Sequence, residues 1–115
     1  MSLYLCVFAD GQEAAGVEVG AYSDFAAFRQ HIAEREGGGR PGERFPLLLL
    51  HSDCEGSWTV TECQGLRREI AILCSEMTTD PTLASFCDVD GENLVEQLAA
   101  LVEAALAAGQ PILFQ

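Results

Sequence analysis

The sequence predicts a single α+β (or mixed α/β) domain over residues 1–115, built as a few-stranded sheet packed by three helices. Three observations predict it: an apolar opening stretch of strand length, three amphipathic runs of helical period, and a short apolar segment that follows a helix stop signal at the C-terminus. The length of 115 residues allows one buried core and no second one. With 49% hydrophobic and 21% charged residues, the composition is that of an ordinary globular chain and not of a disordered one.

Residues 3–9, LYLCVFA, are apolar at alternate positions on both faces, the pattern of a central strand covered on both sides. Asp10-Gly11 breaks the run, and the alternation around Val17 to Val19 reads as a short strand returning antiparallel. Ser23 is placed to cap a helix from about Asp24 to Glu36, with Phe25, Phe28 and Ile32 along one stripe. GGGRPGERF cannot continue that helix and is read as a loop, because glycine costs backbone entropy and proline lacks a donor.

FPLLLLH, from Phe45 to His51, reads as a second buried strand followed by a polar turn, SDCEGSW. Thr59 and Glu62 have the spacing of a capping box, and Cys63, Leu66, Ile70, Cys74 and Met77 follow on one side of a helix reaching about Glu76. MTTDPTL is read as loop and LASFCDV as extended or irregular. Asp90 is placed to cap a third helix with its stripe at Leu94, Leu98, Leu101, Val102 and Ala105, which Gly109 and Pro111 end. PILFQ then closes the chain as a strand tied into the sheet.

Charge narrows the function. Eighteen acidic residues face six arginines and no lysine, for a net charge of -12, and residues 69–115 carry eight carboxylates and no basic side chain. Nucleic acid is excluded as the expected partner, because phosphate recognition needs clustered Lys or Arg. A basic macromolecule is the partner such a field steers in. The longest aliphatic run, Leu47 to Leu50, is far too short to span a bilayer, so no membrane segment is expected. Five cysteines without paired spacing and no leader-like N-terminus point to reduced thiols in a cytoplasm.

The candidate sites weigh against catalysis. His51, Asp53 and Cys54 share a loop where a thiol nucleophile and an imidazole base could meet, yet no nucleophile motif accompanies them, and a polar loop satisfying its own backbone is the simpler reading. His51, Cys54 and Cys63 fall short of a zinc set. Cys63 and Cys74 share a helical face with Leu66 and Ile70 and are expected in the core. DVDGEN opens like a calcium loop, but Asn93 and Ala99 stand where its glycine and glutamate belong. GGGRPG follows a helix and so is no phosphate-binding loop. Trp58 either anchors an interface or staples the Thr59 cap.

LLLLHSDCEGSW, FCDVDGENLVEQL and PILFQ, with LYLCVFAD and GVEVGAYSDFAAFR before them, resemble a family of immunity proteins from bacterial polymorphic toxin systems. The resemblance implies a small cytoplasmic antidote that binds a cognate protein toxin, such as a nuclease with a basic site. No cofactor or metal is expected. It transfers no catalytic residue, so the chain is not expected to be an enzyme. The expected contact surface is His51, Asp53, Glu55 and Trp58 together with Asp88, Asp90 and Glu92, which combine negative charge with one aromatic anchor. A small-molecule binding or regulatory domain is the alternative, and a Cys54/His51 thiol enzyme ranks behind it.

Overall fold

A computed structural model describes residues 2–35, 44–51 and 56–115. The loop expected after the first helix falls largely at 36–43, and Asp53, Cys54 and Glu55 fall in 52–55; both stretches lie outside the described residues. In chain order the elements are β1 (Ser2–Ala9), β2 (Gln12–Ala21), α1 (Tyr22–Arg35), α2 (Pro46–Leu49), β3 (Ser57–Trp58), α3 (Val60–Glu76), α4 (Pro81–Ser85), α5 (Leu94–Ala108) and β4 (Ile112–Phe114). The class is α+β, with four antiparallel strands in the order β2-β1-β4-β3.

β1 is central, as its composition predicts, but among the described residues helices pack on one of its faces only. Leu3, Leu5 and Val7 are fully buried in the core, where α1 and α5 pack against the sheet. Of the opposite face, Tyr4 is half-buried and Phe8 exposed, and Cys6 is buried without joining the core. Neighbouring strands, with Gly16 and Leu113 paired to Cys6, provide the shelter there. β2 is longer than Val17 to Val19 suggested, and it turns at Asp10 and Gly11, both at positive φ. β4 inserts between β1 and β3, which buries Ile112 and Phe114 and secures the C-terminus as expected.

The three long helices follow their sequence signals with shifted ends. α1 begins at Tyr22, and Asp24 accepts from the Ala21 N–H at 3.0 Å; Phe25, Phe28 and Ile32 are buried as predicted. α3 carries the Thr59–Glu62 capping box, and its buried residues include Cys63, Leu66 and Ile70. α5 is capped by Asn93, whose side chain accepts from the Glu96 N–H at 2.9 Å, and not by Asp90. Gly109 ends it in the left-handed conformation, φ 64°.

Phe45–His51 is not a strand. Pro46 starts the short helix α2, and long-range partners satisfy the backbone groups that so short a helix leaves open. The Glu69 carboxylate accepts from the N–H groups of Leu47 (3.2 Å) and Leu48 (3.1 Å), while Trp58 Nε1 donates to the Leu47 carbonyl at 2.9 Å. Arg29 from α1 donates to the carbonyls of Leu49 and, at 2.6 Å, His51. The end of the stretch read as a turn forms β3, and the stretch read as loop and extended chain holds α4, which Asp80 caps through the Leu83 N–H. Five helices therefore stand among the described residues where three were expected.

Candidate functional site

The expected contact residues separate into two groups. His51 follows α2, and its ring stacks on Phe114 (centroids 4.2 Å apart, 23° between planes) beside Trp58 at 5.3 Å. Its Nε2 lies 2.9 Å from the Ser57 carbonyl, which can only accept, so this nitrogen carries the proton. With its own carbonyl taken by Arg29, His51 joins α1, β3 and β4. Trp58 is only 1% exposed, packed edge-on against Phe114. An exposed aromatic anchor is therefore the wrong description of Trp58. It lies one residue before the capping Thr59, on the core side of β3, and its indole is enclosed.

The second group is a tight turn. One oxygen of Asp88 accepts from the N–H groups of Asp90 (2.9 Å) and Glu92 (3.0 Å), and the Cys87–Asn93 bridge closes the base. Val89 donates to the Glu18 carbonyl at 3.0 Å, which pins the turn to the outer edge of β2. Asp90, Glu92 and Val89 are exposed, Val89 by 57%. The two groups thus sit toward opposite edges of the sheet, with β1 between them, and the structure does not join them into one surface.

What it does place beside the turn are acids that sequence reasoning left out. Glu18 is in β2, and Asp24 approaches Gly20 at the corner where β2 becomes α1. Glu13 stands on the same face as Glu18, opposite Phe8, and accepts from the Tyr4 hydroxyl at 2.6 Å. The signal was present in the alternation of VEV, but nothing local shows that β2 is an edge strand.

Arg29, Arg35, Arg44 and Arg67 are engaged elsewhere. Arg35 pairs with Glu76 and Asp80, Arg44 with Glu76, and Arg67 with Glu103. No ion pair among the described residues involves Glu13, Glu18, Asp24, Asp88, Asp90 or Glu92.

Cys6, Cys63 and Cys74 are not activated nucleophiles. Burial pushes Cys6, Cys63 and Cys74 up from the ordinary thiol value, the direction opposite to activation. No three His, Cys, Asp or Glu side chains among the described residues are grouped to hold a metal ion. A groove of about 290 Å³ between α3 and α5 is lined by apolar atoms of Ile70, Cys74, Ala99 and Val102. Its charged liners, Arg67 and Glu103, bind each other at 2.7 Å, so they do not converge on a guest. No helix of the described residues is long and apolar enough to cross a membrane.

Residues 3–83 match the family model of Immunity protein 70. The chain belongs to the Immunity protein 70 family. The matched span covers β1 through most of α4 and holds the His51 region, whereas the Asp88–Glu92 turn and α5 lie beyond it. No curated protein and no solved structure matches the chain.

Proposed function

We propose that this chain is the cytoplasmic immunity protein of a bacterial polymorphic toxin system and neutralises a cognate toxin by binding it through an acidic surface. Family membership supplies the class of partner. The observation that carries the rest is the sorting of charge: Arg29, Arg35, Arg44 and Arg67 bind internal carbonyls or the carboxylates of Glu76, Asp80 and Glu103, and the acids of β2 and the Asp88–Glu92 turn stand outside those pairs. A basic toxin, such as a nuclease whose site must attract phosphate, is drawn to such a surface and blocked by it without any bond being made or broken. Asp88, Asp90 and Glu92 keep their proposed contact role, joined by Glu18. His51 ties α1, β3 and β4 together, and Asp53 and Glu55 remain proposed contacts. No cofactor enters the action.

Co-expression with the toxin encoded beside its gene tests the reading. Growth is expected to be rescued, and the purified pair to bind less tightly as salt is raised. Growth arrest despite abundant folded protein would refute it.

A further inference from the structure

The outer edge of β2 is unlike the protected edges that sheets normally present. Among the described residues β2 is the terminal strand, bonded to β1 on one side only. Natural edges are blunted by lysine, proline or covering segments, because unpaired N–H and C=O groups invite another strand. Here the cover given by the described residues stops at Glu18, whose carbonyl receives the Val89 N–H. Behind it the sequence runs Ala14, Ala15, Gly16, with no side chain large enough to shield the backbone.

From Ala15 to Glu18 the pairing with β1 runs without a register shift. The pleat therefore repeats every two residues, and since Glu18 turns its carbonyl outward, Gly16 turns its own N–H and C=O the same way. Gly16 is glycine for a reason seen across the strand. The Tyr4 hydroxyl lies over it, so that a Cβ there would stand 2.0 Å from that oxygen. The result is a low, bare edge.

Two further features say what fits. Ala15, Gly16, Val17, Ala100 and Leu101, with Gln97, border an open notch of about 190 Å³ where the edge meets α5. On the other face stand Glu13 and Glu18, continued by Asp88, Asp90 and Glu92 in the adjoining turn. A strand docked here would set alternate residues against the side chains of Val17, Ala100 and Leu101 and against an acidic rim.

We propose that the edge of β2 from Ala15 to Val17, up to the Val89 contact on Glu18, receives an extended segment of the protein partner as a fifth strand, with Arg or Lys alternating with aliphatic residues. The proposal rests on the reading that the partner is basic. Main-chain bonds supply the attachment and the alternation supplies selectivity.

The test uses the full chain and a capped octapeptide of alternating Arg and Val. In amide NMR spectra the peptide is expected to shift Gly16 and Glu18 and to slow hydrogen exchange of the Gly16 N–H by about tenfold at saturation. An alternating Glu–Val peptide is expected to do neither. Glu18→Arg should weaken binding about tenfold, and Glu34→Arg on α1, the same change of charge, should not. No binding, or shifts confined to other elements, would overturn the proposal; the wild-type map decides it even where Glu18→Arg folds poorly. The toxin separates the two claims. If wild type and Glu18→Arg neutralise it equally, the edge is wrong and the antitoxin reading stands; if the peptide docks on β2 but no toxin is bound, the reverse holds.

Discussion

Glu69 Oε1 accepts the backbone N–H of Leu48 at 3.1 Å, so a buried carboxylate of α3 holds the first turn of α2. Glu69 is 7% exposed, and its second oxygen takes the Leu47 N–H. A negative group there both fills open donors and meets the positive end of the backbone dipoles. Glu69→Ala is expected to lower the unfolding free energy by about 2–4 kcal/mol, seen as a lower urea midpoint. Glu69→Gln keeps one acceptor and should lose about half as much. An unmoved midpoint for Glu69→Ala would show that α2 does not need the bond.

Trp58 clamps the same helix from the other side through the Leu47 carbonyl. As the only tryptophan, and a buried one, it should fluoresce with a blue-shifted maximum and resist aqueous quenchers. Trp58→Phe removes the hydrogen bond and part of the volume, at an expected cost of about 1–2 kcal/mol, and Trp58→Ala about 3–5 kcal/mol. A red-shifted, readily quenched emission would place the indole in water instead.

The Tyr4 phenol is pushed up to about 12, chiefly by its hydrogen bond to Glu13, then by desolvation and by the Glu13 charge. Tyr4 and Tyr22 are the only tyrosines, so phenolate absorbance should show one ionising near 12 and that one falling toward 10 in Glu13→Gln. A folded pKa above the unfolded one means stability that is complete below about 10 and drains away as pH rises toward about 12. Identical titrations of wild type and Glu13→Gln would remove Glu13 as the cause.

At the other end of the molecule, Asp80 joins α4 to α1. Its carboxylate accepts from the Leu83 N–H, meets His31 Nε2 at 2.8 Å and pairs with Arg35 at 3.0 Å. The Leu83 bond, then the His31 hydrogen bond, hold it below its ordinary value of 3.8. A depressed pKa gives stability that is present above that value and lost as pH falls through the lower folded one. The advantage of wild type over Asp80→Asn in thermal melts should therefore be seen at neutral pH and shrink below about pH 4. A gap that persisted unchanged into acid would assign the effect to packing.

How much of this the chain announced depends on the reach of each interaction. The capping box at Thr59 and Glu62, the stripes of α1, α3 and α5, and the stop at Gly109 all lie within a few residues, and all three helices stand where they were read. Asn93 took the cap from Asp90 because Asp88 had drawn Asp90 and Glu92 into a turn of their own. Of the expected contact surface, Asp90 and Glu92 of that turn are exposed and Asp88 is half-buried, whereas Trp58 is sealed in the core by Phe114 and Leu47.

The amino-acid sequence by itself determined the acidic field, the long helices and the buried terminal strand, since composition and local periodicity suffice for these. Tertiary structure alone decided that Phe45–His51 coils instead of extending, because Glu69, Arg29 and Trp58 reach it from distant elements to satisfy its backbone. It alone decided, too, that β2 lies at an open edge with the Asp88–Glu92 turn bound beside it. Strand order is fixed by which long-range pairings bury the most apolar surface at once, and no window along the chain contains that sum.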